Sequence, residues 1–64
     1  MYVIKRYCPE SGLEGYLMLN GRYGHFNDAA KFEGLRAAQE VRDVQEYSYP
    51  FNEGHNFEYT VEEI

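Results

Sequence analysis

The 64-residue chain lacks the features that usually stabilise so small a domain. Its one cysteine, Cys8, excludes an internal disulfide, and its two histidines, His25 and His55, lie far apart without the Cys/His spacing of a zinc site. No apolar run is long enough to span a membrane, and the charge near the N-terminus follows the short apolar stretch, unlike a signal peptide. We therefore expect no metal, no disulfide, no membrane contact and a cytoplasmic location.

Aromatic residues, in contrast, are abundant, with seven tyrosines and four phenylalanines. A domain of this length buries only about 60% of the surface that its unfolded chain exposes, so its interior cannot enclose all of these rings. Tyrosine joins an apolar ring to a hydroxyl that tolerates water, which explains its enrichment at interfaces. We therefore predict that part of the tyrosine surface is covered by another molecule, either a partner protein or a second copy in a homodimer.

The net charge of −5 is distributed unevenly. Acidic residues concentrate after position 39, where Arg42 is the only basic residue. Binding to a phosphate backbone needs clustered lysine and arginine, so we expect no direct binding to duplex DNA. Carboxylates at alternate positions along a strand can instead imitate a phosphate backbone and attract a basic protein surface. The alternative is that these carboxylates form an ordinary solvated face.

The residue pattern predicts a single compact α+β domain over residues 1–64. β-favouring residues at 1–7 and a mostly apolar run at 14–20 predict two strands paired in an antiparallel hairpin. Alternating apolar and polar residues at 57–64 predict a closing strand. The economical arrangement is a three-stranded antiparallel sheet with one main helix packed on one face, in ββαβ order. The other face would then be uncovered and would carry several tyrosines.

Helical periodicity is clearest between Asn27 and Glu46, where either Asn27 or Asp28 can cap the start of a helix. Gly34 costs a helix interior about 1 kcal/mol relative to alanine. Two interpretations therefore stay open: one helix from 28 to 46, or a short turn at 28–32 followed by the main helix from 34. The predicted apolar face of this helix comprises Ala30, Gly34, Ala37, Val41 and Val44, with Leu35 and Ala38 beside it.

The acidic C-terminal part and the aromatic loop after the helix are the predicted partner-binding surface. The aromatic rings of that loop can anchor an interface; equally, they can fold back as a lid over the small core. A non-enzymatic protein is expected, because so short a chain does not readily form a catalytic cleft. The predicted partner-binding residues are Glu53, Glu58, Glu62, Glu63, Tyr47, Tyr49 and Phe51.

An alternative function is a small oligomeric protein that binds an anionic nucleotide or signalling ligand. Lys5, Arg6, Arg22 and Tyr23 would hold the anion if the hairpin brings them together. The competing interpretation is that these charges keep an edge strand soluble. Cys8 and the two histidines have no neighbouring pattern that indicates a nucleophile or a general base, so we assign them no catalytic role and expect no cofactor.

Three short segments carry a family resemblance. They are Asp28-Ala29-Ala30-Lys31-Phe32, then Ala37, Ala38 and Val41 of the predicted helix, and the closing Phe57-Glu58-Tyr59-Thr60-Val61. In this pattern the chain resembles small phage and prophage accessory and anti-defence proteins, including some anti-CRISPRs. The resemblance implies a viral inhibitor in the host cytoplasm that blocks the functional surface of a host protein or sequesters a signalling nucleotide.

Overall fold

The structure is a computed structural model that describes residues 1–48 and 57–64. The predicted α+β class, with one helix and an antiparallel sheet, is confirmed over these residues. The sheet has four strands in the described part of the chain, however, so the predicted number of three strands is wrong and the ββαβ order is not confirmed. The elements are β1 (Tyr2–Tyr7), β2 (Glu14–Leu17), β3 (Tyr23–Gly24), a 3-10 turn (Phe26–Asp28), α1 (Leu35–Ser48) and β4 (Glu58–Glu63).

The sheet has the order β3-β2-β1-β4, and all neighbouring strands are antiparallel. The predicted hairpin of β1 and β2 is confirmed, and β4 pairs along the whole length of β1. β1 is therefore central. Its Val3 and Ile4 side chains are fully buried, one on each side of the sheet.

The strand that sequence reasoning missed is β3, which follows a tight turn. Gly21 has a φ of 84°, the left-handed region that favours glycine, and its N–H donates to the Met18 carbonyl at 3.0 Å. The Arg22 carbonyl then accepts a hydrogen bond from the Met18 N–H at 2.8 Å. Gly24 packs closely against the Met18 side chain. A Cβ at position 24 would lie only 2.9 Å from the Met18 sulfur. Glycine here therefore allows close packing and does not mark a flexible loop.

Phe32 continues the sheet beside β1 after β2 ends. It exchanges two backbone hydrogen bonds with Tyr2, each 2.8 Å long. The connection from the 3-10 turn to this bridge is anchored by Ala29 and Ala30, which are buried, and the Ala30 N–H donates to the Leu17 carbonyl at 2.8 Å. This connection delivers the chain to the start of α1.

The helix begins at Leu35, one residue after the start predicted by the two-part interpretation, so the single helix from 28 is wrong; the short turn lies at Phe26–Asp28 and not at 28–32. The Gly34 carbonyl accepts the first helical hydrogen bond, from Ala38 at 3.1 Å. The predicted apolar face is wrong, because Leu35, Ala37 and Val44 are exposed. The face toward the sheet instead consists of Ala38, which is fully buried, and the half-buried Val41, Arg42 and Gln45.

A close approach and a side-chain hydrogen bond set this helix orientation. Alanine at position 38 places little bulk between the helix and the sheet. About two helical turns further along, Gln45 Oε1 accepts a hydrogen bond from the Tyr23 hydroxyl at 2.9 Å. The contact positions 38, 41, 42 and 45 have the spacing of one helix face, although two of them are polar. The sequence prediction relied on apolar residues alone and therefore identified the adjacent face of the helix.

Candidate functional site

Alternation along the strands divides the sheet into two faces with different chemistry. α1 packs against one face, as the Tyr23–Gln45 hydrogen bond shows. We call this the helix-side face, and the pairing register places Ile4, Arg6, Gly15, Leu17, Tyr23, Tyr59 and Val61 on it. The opposite face, which we call the acidic face, carries Lys5, Tyr7, Glu14, Tyr16, Glu58, Thr60 and Glu62.

On the acidic face a tyrosine lies between two exposed carboxylates, one on each side. Tyr7 pairs with Glu14 of β2 on one side and with Glu58 of β4 on the other. Side chains paired in this way have Cβ atoms about 4.5–5.5 Å apart. Tyr7 is half-buried, while both glutamates are exposed. The row Glu14–Tyr7–Glu58 is therefore a flat strip of negative charge with an aromatic ring at its centre.

The next part of the acidic face is a hydrogen-bonded network across three strands. Glu62 Oε2 lies 3.2 Å from Lys5 Nζ, and the Tyr16 hydroxyl donates to Glu62 Oε1 at 3.2 Å. The hydrogen bond and charge of Glu62 raise the pKa of Lys5 above its ordinary value. Burial first, and then the Glu62 charge, raise the pKa of Tyr16. Glu62 therefore links β4 to β1 through Lys5 and to β2 through Tyr16, so it has a structural role besides its charge.

One corner of the acidic face is covered by the 3-10 turn. The Phe26 ring meets the Tyr16 ring edge to face, with centroids 5.2 Å apart. Val3, which has the same orientation as Lys5 along β1, is fully buried. Toward the other end of β1 the face opens, and Glu58, Thr60 and Glu14 are all exposed there. The accessible part of the acidic face is thus the strip around Tyr7.

The predicted partner-binding residues do not lie on one surface. Glu58 and Glu62 share the acidic face, whereas Glu63 pairs with Tyr2 on the helix side. Tyr47 lies in α1 and is 87% exposed. Tyr49, Phe51 and Glu53 lie outside the described residues. Sequence reasoning missed Glu14 and Tyr7, because their proximity to Glu58 depends on how the strands pair. The sequence shows only which residues alternate within each strand.

The predicted anion-binding residues are likewise separated. Lys5 and Arg6 are adjacent in β1 and therefore lie on opposite faces. Arg22 is exposed in the turn before β3. Arg6 and Tyr23 do come together, with the guanidinium carbon 4.0 Å from the Tyr23 ring centroid. The Phe57 ring centroid lies 4.4 Å from the same carbon, so the guanidinium makes cation–π contacts with two rings.

Cys8 and His25 are the other titratable residues that sequence reasoning considered. Cys8 is a free thiol with 3% exposure, and hydrogen bonds from Ser11 lower its pKa. His25 is exposed just before the 3-10 turn. Across residues 1–48 and 57–64, no cluster of three or more His, Cys, Asp or Glu residues is arranged to hold a metal ion. His55 lies outside this part of the chain.

The helix in the described part of the chain is too short and too polar to cross a membrane. Comparison of the chain with protein-family models, with curated proteins and with solved structures finds no match. The chemistry of the two sheet faces is therefore the basis for proposing a function.

Proposed function

We propose that this protein is a non-enzymatic binding protein whose acidic face docks on a basic surface of a partner protein. The observation that supports this proposal is the exposed row Glu14–Tyr7–Glu58, in which two carboxylates flank a half-buried tyrosine. Carboxylates attract and orient a basic partner, and a tyrosine ring provides contact area at low entropic cost. The paired strands present both groups on one face of the sheet.

The acidic residues of α1 form a weaker candidate surface. Glu40 lies 3.6 Å from Arg36, and Asp43 lies 3.0 Å from Arg42, so these acids are partly neutralised within the helix. On the acidic face, Lys5 neutralises Glu62, whereas no ion pair involves Glu14 or Glu58 in the described part of the chain. The third acid of α1, Glu46, is also outside these ion pairs, but the acidic face places two such carboxylates beside one tyrosine, which favours the acidic face.

The charge of this face also selects the kind of partner. Two copies joined through their acidic faces would place carboxylates against carboxylates, which costs free energy. A protein that normally binds nucleic acid has the complementary basic surface, and spaced carboxylates can occupy it. Together with the resemblance to small phage anti-defence proteins, this leads us to propose a viral inhibitor of a host defence or nucleic-acid-binding protein.

The experiment is a comparison of two double charge reversals with the same net charge. Glu14→Lys with Glu58→Lys changes the exposed acids of the acidic face, and Glu33→Lys with Glu46→Lys changes two exposed acids outside it. Glu62 is left intact, because its replacement by lysine would also break the contacts to Lys5 and Tyr16. Proteins that the wild type captures from host extract are quantified by mass spectrometry and by binding measurements with the purified partner.

We expect the acidic-face variant to lose at least tenfold in affinity for the captured partner and the control variant to keep it within about twofold. A tenfold loss corresponds to about 1.4 kcal/mol, which is modest for two charges at an interface. Equal affinities for the two variants would contradict the proposal. Circular dichroism of both variants verifies that the fold is retained.

A further inference from the structure

The helix-side face contains a cleft that the proposed protein-binding function does not use. Its volume is about 330 Å³, at the lower end of the range for small-molecule sites. The floor includes Gly15, which pairs with Arg6 and has no side chain to fill the space. A Cβ at Gly15 would lie 3.1 Å from the Tyr23 Cβ. The lining residues are Arg6, Cys8, Ser11, Leu13, Glu14, Gly15, Tyr23, Gly24 and Phe57.

Arg6 gives this cleft a fixed positive charge. The rings of Tyr23 and Phe57 lie over its guanidinium at 4.0 and 4.4 Å, so they restrict the orientation of the group. A guanidinium has five N–H donors arranged around its plane. Neither a hydrogen bond nor an ion pair joins them to an acceptor within residues 1–48 and 57–64. The cleft thus contains an oriented set of donors that matches the two oxygens of a carboxylate.

The other walls define the rest of the ligand. Leu13, Phe57 and the Tyr23 ring provide apolar surface beside the guanidinium. Glu14 also lies at the cleft, and the chain has a net charge of −5, so a second negative charge on the ligand is unfavourable. These features favour a monoanion over a dianion such as a phosphate ester.

We propose that the cleft beside Arg6 binds a small organic carboxylate, with the carboxylate on the Arg6 guanidinium and an apolar body against Leu13 and Phe57. This site differs from the predicted nucleotide site, because Lys5 lies on the opposite face and contributes nothing to it. It is also distinct from the proposed protein-binding surface, since Arg6 and the acidic face lie on opposite sides of the sheet, and Glu14 is the one residue that borders both.

Benzoate is the probe, with phenyl phosphate and the neutral benzamide as comparisons. We expect saturable benzoate binding with a dissociation constant on the order of millimolar, as suits so small a ligand. In NMR spectra of the labelled wild type, the shifts should concentrate at the Arg6 side-chain Nε–H and at the Gly15 and Gly24 amides. Phenyl phosphate should bind more weakly and benzamide at least tenfold more weakly.

Three substitutions sharpen the test. Arg6→Gln should weaken benzoate binding at least tenfold, while Arg36→Gln, which changes an exposed arginine in the helix, should have no effect. Glu14→Gln should strengthen binding by about twofold or more, because it removes a negative charge near the ligand. This last variant keeps the Arg6 stack intact, so it remains informative if Arg6→Gln fails to fold.

The proposal is overturned if benzoate fails to saturate the wild type, if its shifts map away from the cleft, or if Arg6→Gln binds it as the wild type does. Tighter binding of phenyl phosphate than of benzoate would overturn the assignment to a monoanion. Equal binding of benzamide would show an apolar cavity without an anion site. None of these outcomes depends on whether a protein partner binds the acidic face.

Discussion

The two faces of the sheet use adjacent basic residues of β1 in different ways. Lys5 points to the acidic face, where its charge is neutralised by Glu62 at 3.2 Å. Arg6 points to the helix side, where two aromatic rings stack on its guanidinium. Adjacent positions in a strand thus have opposite roles, because alternation places their side chains on different sides of the sheet. Charge counted along the sequence therefore does not identify a surface until the face of each residue is known.

The largest expected effect distinguishes the tyrosine hydroxyls of the two faces. Tyr59 on the helix side is buried, and its hydroxyl has no hydrogen-bond partner in the described part of the chain. A buried hydroxyl without a partner costs about 1–3 kcal/mol. Tyr59→Phe should therefore leave the free energy of unfolding unchanged or raise it by up to about this amount, as measured by urea denaturation. Phenylalanine keeps the ring that contacts Tyr23 and Phe57.

A tyrosine-to-phenylalanine substitution on the acidic face should instead lower the free energy of unfolding. The Tyr16 hydroxyl donates to the Glu62 carboxylate, so Tyr16→Phe should lower the free energy of unfolding by about 1 kcal/mol. Because the Tyr16 network is partly exposed, the loss should not reach the values seen for fully buried charged pairs. If both substitutions destabilise the protein equally, the contrast drawn between the two faces is incorrect.

A smaller effect concerns the ionisation of Lys5. Glu62 raises the Lys5 pKa, so the stabilisation from this pair is present below the ordinary lysine pKa and is lost as the pH rises through the raised value, above about pH 10. Glu62→Gln should lower the Lys5 pKa toward its ordinary value. NMR titration of the lysine side-chain carbons measures this change, with the exposed Lys31 as the reference signal. An unchanged Lys5 pKa would show that the ion pair does not persist in solution.

Tyr16 provides a second check on the same variant. Burial is the larger cause of its raised pKa, and the Glu62 charge is the smaller one. In Glu62→Gln the pKa of Tyr16 should therefore fall in part but stay above its ordinary value. A complete return would mean that the charge, not burial, dominates at this position.

Local patterns predicted the fold class and most elements correctly. β-favouring runs identified β1 and β4, and the cost of Gly34 explained why the helix begins after it. β3 was missed because it is two residues long and includes a glycine that packs against Met18. The extra strand makes β2 an inner strand, while β1 is inner because it pairs with both β2 and β4, and no local pattern in the sequence contained this strand order.

The candidate site was predictable only in part. Glu58 and Glu62 were assigned to one face from alternation alone, and the structure agrees. Glu14 and Tyr7 join them through the pairing of β1 with both neighbours, which requires the strand order. The helix face was misjudged because Gln45 reaches the Tyr23 hydroxyl and turns a polar residue toward the sheet. Long-range contacts, and not helical periodicity alone, thus determine which face of the helix meets the sheet.

If the acidic face attracts a basic partner, it should also attract a short basic peptide. NMR titration of the labelled protein with a lysine octapeptide reports where positive charge binds. We expect salt-sensitive chemical-shift changes concentrated at Tyr7, Glu14, Glu58 and Thr60. Changes concentrated at Glu33, before α1, and at Glu40 and Glu46 within it would rule out this face as the site of attraction.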